Sequence, residues 1–367
     1  MNRKFRIVNF PLIEATRRLM AGGGISFRGL FQLLVYYLRM IFSLSLSFLQ
    51  YLIFDRKISR TVISQAPVFI LGHYRSGTTY LQKLLIKGDH YGYLTNYDAL
   101  FANSNLLFGR RMQGVFQKVI NLFRIKNPFF NDSILLLSEP TEEDDYLMNR
   151  ISAYSAYWGL LFPKKWREWL NCSTQMSIPE YLEGWKKEYL KTLKYITFKS
   201  RGKGLVLKSP PNTERVRILL EMFPDAKFIF IYRNPYQMYY SIRNMWKKAI
   251  LGYYSVQKIN EKELDDIVFD HFDYLTEHYL QDKSLIPPGN LIEISYEDLM
   301  RVPYDIIHQI YSELDLPGFE KIADDLKLQI ANEMSYKPFQ FSYSDETFRM
   351  IETRWGRYLR LWNYSSP

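Results

Sequence analysis

Cysteine, histidine and, over long stretches, acid are scarce in this 367-residue chain. Its one cysteine, Cys172, excludes an intramolecular disulfide and any zinc site built on cysteines. It fits a reducing compartment, and with no motif around it the thiol reads as a buried spectator. The five histidines, His73, His90, His271, His278 and His308, show no metal-ligand spacing. His271 and His278 lie seven apart on one expected helix and read as a packed or solvent-facing pair. No repeat and no low-complexity linker divides the chain. Acid is missing where base is densest: residues 1–60 carry ten Lys/Arg against Glu14 and Asp55, which is +8 of the net +10. Basicity confined to one stretch argues against a nucleic-acid groove spread over the fold. The opening residues read as no signal peptide, since Arg3, Lys4, Arg6, Pro11 and Glu14 break any apolar core.

What the chain does have is apolar and aromatic bulk. Hydrophobic residues at 47% and aromatics at 17% support a large core and exclude global disorder. The length suits one large α/β domain with an appendage, or two domains. Between Gly29 and Phe54 the only charge is Arg39. Gln32, Arg39, Ser43, Ser47 and Gln50 recur at steps of seven, four, four and three. That is one narrow polar stripe on a helix that is otherwise apolar, which belongs either inside protein or against lipid. Arg17, Arg18 and Arg28 on one side, with Arg56, Lys57 and Arg60 on the other, suit anionic headgroups. A span is long enough, but Arg39 near its middle disfavours insertion by roughly 2.5–3.5 kcal/mol. Three readings stay open: a helix on a membrane surface, a helical appendage packed on the catalytic domain, and a span. The expected division is residues 1–64, a basic, apolar helical segment for which a membrane-associated reading stays open, and residues 65–367, the main domain.

Short apolar runs alternate with helical spacing from there on. Val68–Leu71, Gly204–Lys208, Lys227–Tyr232 and Leu291–Ser295 read as buried strands, and the turn-rich stretch Gly88–Thr95 is expected to lead to a further short strand. Helices are expected from Thr78, over 106–126, from Pro140, over 179–198, from Pro235 past Ser241 to Trp246, over 261–283, from Tyr296, and near the end from Thr353 to Trp362. This predicts an α/β fold: a P-loop-like three-layer domain with a central parallel sheet flanked by helices, plus the helical segment of residues 1–64. In such a sheet, ligands bind beyond the carboxyl ends of strands.

The loop after the first strand carries the chemistry. Gly72 and Gly77 have the G-x-x-x-x-G separation of a Walker A loop, but Thr78 stands where the nucleotide-binding lysine belongs. The positive charge comes earlier, at Arg75. Strand, glycine-bounded loop and helix N-terminus together favour a phosphate or sulfate group. Arg75, Lys208 and Arg233 lie at the ends of three different strands, which suits a ligand with two separated anionic groups. Arg233 and Ser241, with Pro235 between them, are spaced to grip one phosphate from two directions. The strand ending at Tyr232 runs into Arg233 rather than a Walker B acid, and no obvious residue set would hold Mg²⁺. A P-loop kinase or NTPase is therefore the weaker alternative. A non-catalytic membrane-associated protein with a degenerate version of the fold is another.

These motifs resemble the sulfotransferases that use 3′-phosphoadenosine 5′-phosphosulfate (PAPS), and the bacterial-type branch in particular. Arg75-Ser76-Gly77-Thr78-Thr79 looks like their 5′-phosphosulfate loop, and Tyr232-Arg233-Asn234-Pro235 with Ser241 is similar to their 3′-phosphate motif. Leu207-Lys208-Ser209-Pro210 and Ser295-Tyr296-Glu297-Asp298-Leu299 also recur there, so that the likeness covers about residues 66–361. The resemblance implies metal-independent in-line transfer of a sulfuryl group from PAPS. Ser76, Gly77, Thr78 and Thr79 would cradle the 5′-phosphate, and Arg75 would stand in for the usual loop lysine. Arg233 and Ser241 would hold the 3′-phosphate, while Lys208 assists at the sulfuryl or acceptor side. Glu142, in Pro140-Thr141-Glu142-Glu143-Asp144, is the implied base, with His73 in reserve and Asp98 behind it. The same cluster also reads as ordinary helix N-terminal acid. Lys337 would close over the nucleotide. The basic, apolar first segment and the abundant Phe and Tyr point to a small-molecule acceptor, lipid or amphipathic, met in the cytoplasm at the inner membrane face.

Overall fold

In a computed structural model of the chain, residues 24–129, 133–150, 152, 154–174, 179–333 and 344–365 are described. They fall into two compact units. One comprises Ser64–Gly92, Lys203–Asn244 and the described residues from Glu261 onward; the other comprises the described residues up to Ile63, Tyr93–Gly202 and Met245–Asn260.

The first unit is built on five parallel strands, β1 (Val68–Leu71), β2 (Tyr91–Gly92), β3 (Gly204–Lys208), β4 (Lys227–Tyr232) and β5 (Leu291–Ser295), in the order β2-β3-β1-β4-β5. The strands carry apolar side chains toward both faces, as a doubly covered parallel sheet requires. Val68, Ile70, Ile229, Ile231, Ile292 and Ile294 join one core with Leu81, Leu84 and Leu85 of the Thr78–Leu85 helix. On the alternate positions Phe69 stacks on Phe228 at 5.6 Å, and Phe230 stacks on Tyr279 of the Glu261–Asp282 helix at 3.8 Å. β1 lies between β3 and β4, with Ile70 opposite both Lys208 and Ile229. The chain therefore leaves β1 toward strands on either side, and the ends of β1, β3 and β4 form the topological switch point where such sheets bind ligands.

The second unit is helical. The Phe27–Arg60 helix, capped by Ser26 accepting from Gly29 N at 3.0 Å, is its longest element. Three residues of its polar stripe, Gln32, Ser43 and Gln50, face inward. Gln32 donates to Tyr253 O at 2.9 Å, and Ser43 accepts from Asn103 at 3.3 Å. Gln50 donates to Ala102 O at 3.2 Å and accepts from Leu106 N at 2.9 Å. Leu33 packs with Trp158, Phe162, Trp169 and Val256. Among the described residues no helix is long and apolar enough to cross a membrane.

Three local departures from sequence expectation have physical causes. The Asn105–Leu122 helix is kinked at Gly109, whose φ of +63° only glycine adopts freely. The helix expected from Pro140 begins at Glu143 instead. Residues 139–141 are extended beside residues 94–96, with Asn96 N donating to Glu139 O and Thr141 N to Leu94 O, both at 2.9 Å. Beyond the Pro235–Met245 helix the backbone widens into a π-helix, Trp246–Tyr254, which apolar periodicity does not announce.

Candidate active site

Backbone shape comes first in the loop after β1. Gly72 has φ +141° and Gly77 φ +102°, and neither has room for a side chain. A Cβ on Gly72 would lie 2.6 Å from Ile231 O, and one on Gly77 2.5 Å from Tyr296 Cδ2. Ser76 closes the turn: its N–H and hydroxyl both donate to His73 O, at 3.2 and 2.8 Å. Thr213 braces Gly72, accepting from its N–H at 2.8 Å and donating to its carbonyl at 3.3 Å. The Thr78–Leu85 helix then starts from Gly77 with no side-chain cap. Its first-turn N–H groups have no acceptor within the helix, so the dipole and the donors both favour an anion there.

Arg75 is held in the left-handed region at φ +73°, a conformation costing a non-glycine residue about 1–2 kcal/mol. Two contacts fix it. Its Nε donates to Ser241 Oγ at 3.0 Å, and its carbonyl accepts from Arg233 Nη1 at 3.0 Å. Arg233 also donates through Nη2 to Gln237 at 2.9 Å, and its guanidinium lies 4.2 Å from the centre of the Tyr296 ring. Arg233 Nε is buried without a hydrogen-bond partner. Leaving such a donor unpaired costs about 1–3 kcal/mol, which a bound oxygen would recover. Three of the residues singled out from sequence as anion ligands, Arg75, Arg233 and Ser241, thus form one bonded group. A doubly anionic ligand suits this cradle: glycines with no room for Cβ, two guanidiniums and one orphaned donor. Lys208 ends β3 in register with Ile70 and is buried. Thr78 is buried and Thr79 half-buried at the helix start.

Sequence reasoning named candidate ligands but missed the residues that position them. Tyr296 both fills the space over Gly77 and lies against Arg233. Glu297 accepts from Asn234 N at 3.1 Å, fixing the turn after Arg233. The five-residue motif 295–299 had marked these two, without giving their roles. Thr213 and Gln237 carried no signal beyond being polar.

His73 does not stand alone. Its Nε2 lies 2.9 Å from His271 Nδ1 and its Nδ1 lies 3.0 Å from Tyr74 O. The carbonyl fixes the tautomer, so Nδ1–H donates to Tyr74 and Nε2 accepts from His271. Burial pushes His73 down to about 4, and burial with the neighbouring His73 pushes His271 well below the ordinary histidine range. Both rings are neutral at physiological pH. His271 therefore pairs across the fold with His73, not along its helix with His278, whose Nδ1 bonds Tyr274 O at 2.6 Å.

The acidic cluster lies in the helical unit. Glu142 is the half-buried N-cap of the Glu143–Asn149 helix, and Glu143 and Asp144 are buried. Asp144 accepts from Ala156 N at 2.8 Å, and Asp145 accepts from Thr141 Oγ1 at 3.0 Å. Two of the acids are thus built into packing rather than set on a solvated first turn. Asp98 is more committed still. It accepts from Thr95 N, Thr95 Oγ1, Asn105 and Tyr195 at 2.8, 2.7, 3.0 and 3.1 Å, and also from Lys199. Such a carboxylate caps the Asn96–Leu100 helix and has little left for proton transfer. Lys337 lies outside the described residues. Among those, no group of His, Cys, Asp and Glu is arranged to hold a metal ion.

Comparison with known proteins bears on the fold and the family. Sulfotransferase STF9 from Mycobacterium avium superposes with a TM-score of 0.70 at 17% identity, covering 88% of this chain and 84% of that one. Sulfotransferase STF1 from Mycobacterium tuberculosis H37Rv gives 0.70 at 16% identity, covering 97% and 93%. In sequence the chain is 29% identical over 318 residues to the omega-hydroxy-beta-dihydromenaquinone-9 sulfotransferase Stf3 of Mycobacterium bovis and of M. tuberculosis, covering 86% of this chain and 79% of those proteins. The pattern that defines the Sulfotransferase family matches residues 67–321, which run from the start of β1 to beyond the Tyr296 helix, and the chain belongs to that family.

Proposed function

We propose that this sulfotransferase takes its sulfuryl group from PAPS and delivers it to a hydroxyl (or amine) of a lipid-like acceptor, in the cytoplasm at the inner membrane face. The observation that carries the donor reading is the bonded group Arg75, Arg233 and Ser241, with Arg233 Nε unpartnered at the mouth of a glycine-shaped anion loop. PAPS supplies the sulfuryl group. Ser76, Gly77, Thr78 and Thr79 hold the 5′-phosphate, and Arg233 and Ser241 the 3′-phosphate. Arg75 exchanges its bond to Ser241 for the leaving oxygen and offsets the charge that gathers there as the sulfur–oxygen bond breaks. Lys208 steadies the sulfuryl oxygens. Glu142 takes the acceptor's proton as the new oxygen–sulfur bond forms. The acceptor class is supported by the mycobacterial relative, which carries a hydroxylated dihydromenaquinone in its name.

The test is nucleotide binding followed by product partition. The product nucleotide 3′-phosphoadenosine 5′-phosphate (PAP) is expected to raise the melting temperature without Mg²⁺. Arg75→Ala and Arg233→Ala are expected to abolish that rise and to lower kcat/KM by about 10²–10³-fold each. Label from ³⁵S-PAPS is expected in the organic phase of a lipid extract. No response to millimolar PAP, or a rise with Mg-ATP alone, overturns the donor reading. Label confined to the aqueous phase overturns the acceptor reading.

A further inference from the structure

The Phe27–Arg60 helix presents an apolar outer stripe. Gln32, Ser43 and Gln50 are turned into the helical unit and hydrogen-bonded there. On the outer side Phe31, Leu34, Leu38, Ile41, Phe48 and Leu52 are between 50% and 68% exposed. Their steps of three, four, three, seven and four follow one helical stripe, about 30 Å long at 1.5 Å per residue. A helix bathed in water presents the opposite arrangement. An apolar stripe of this length on a soluble surface marks a contact with another apolar phase.

Charge decides which phase. The Asn105–Leu122 helix packs beside the long helix. On it and just beyond it, Leu122 and Phe123 are 77% and 70% exposed, among exposed Arg110, Arg111, Lys118 and Arg124. Residues 99–131 contain no Asp or Glu. Arg56, Lys57 and Arg60 add exposed positive charge where the long helix ends, and its one acid, Asp55, is paired with Lys191 at 2.7 Å. A second copy could cover the apolar stripe, but it would bring like charge against like. A bilayer with anionic headgroups satisfies both features: acyl chains for the stripe and phosphates for the cations.

We infer that the helical unit lies on an anionic membrane surface through the Phe31–Leu52 stripe, with the cations of residues 110–124 in the headgroup layer. The helix rests in the interface and does not cross it. The inference deepens the proposed lipid acceptor and rests on it, because an enzyme held at the bilayer meets such an acceptor in two dimensions.

Flotation of the full chain with vesicles, in the absence of PAPS and acceptor, tests this directly. The protein is expected to float with phosphatidylglycerol–phosphatidylcholine vesicles and to remain largely behind with phosphatidylcholine alone. Arg110→Gln with Arg111→Gln is expected to weaken partition about fivefold per cation removed. Leu34→Glu with Leu38→Glu is expected to weaken it by about tenfold or more. Both double variants are expected to keep the wild-type melting temperature and its response to PAP, which separates loss of docking from loss of fold. Failure of the wild-type chain to float with either vesicle overturns the inference. So does a solution dimer by light scattering that Leu34→Glu dissociates, since a second copy then owns the stripe. Flotation intact with ³⁵S label in the aqueous phase supports the docking and removes the lipid acceptor.

Discussion

The two units solve the same problem in opposite directions. In the sheet unit, the apolar strands are largely covered, and a cluster of buried or half-buried polar groups sits where β1, β3 and β4 end. There they hold one another: Arg75 with Ser241, Arg233 with Arg75 and Gln237, His73 with His271. In the helical unit the Phe27–Arg60 helix turns Gln32, Ser43 and Gln50 toward protein and leaves a long apolar stripe outside. The difference teaches that burial alone does not reveal purpose. On the readings proposed above, dehydrated polar groups at strand ends serve a charged ligand, whereas hydrated apolar groups on a helix serve a surface.

Acid tests the sheet side most severely. His73 and His271 have folded-state affinities for protons below their unfolded ones, so the stability they lend is fully present above the unfolded value near 6.5 and lost as pH falls toward about 4. Between pH 7 and pH 4 the unfolding free energy should fall by up to about 3 kcal/mol through His73, followed by chemical denaturation at each pH. His73→Asn should flatten that slope, and an unchanged slope means that the pair is hydrated in solution. A smaller effect tests the helical side. Gln50→Leu removes both bonds to residues 102 and 106 and leaves a buried carbonyl and N–H unpaired, for a loss of about 1–3 kcal/mol. The smallest effect is the most telling. Leu34→Gln, on the outer stripe of the same helix, should change stability by less than about 0.5 kcal/mol. If the polar-to-apolar change proved harmless and the apolar-to-polar change costly, the helix would be oriented the other way round.

Much of the sheet unit was legible because its signals are local. Four apolar runs bounded by Pro, Gly or charge gave β1, β3, β4 and β5, and the positions of Arg75, Lys208 and Arg233 at their ends followed from topology alone. The Arg75–Ser241 bond was not legible: it joins residues 166 apart, and nothing in either segment names the other. His271 was misjudged for the same reason, since spacing along a helix suggested His278 while the fold supplied His73. Gln32, Ser43 and Gln50 of the narrow polar stripe share the side that meets protein, yet periodicity gives the phase of a helix and not which side faces protein. The helix start expected at Pro140 failed because strand-like bonds to residues 94–96 outweigh the local preference of proline.

The place of β1 at the centre of the sheet also sets a schedule. β1 is made early, yet both neighbours, β3 and β4, lie about 140–160 residues further on, which at 5–20 residues per second is roughly seven to thirty seconds of synthesis. For that interval Val68-Phe69-Ile70-Leu71 is an unpaired apolar strand on a growing chain. Such long-range parallel pairing is intrinsically slow even after release. The strand that carries the anion loop is therefore the segment of the sheet unit most in need of shielding by chaperones while the chain is being made.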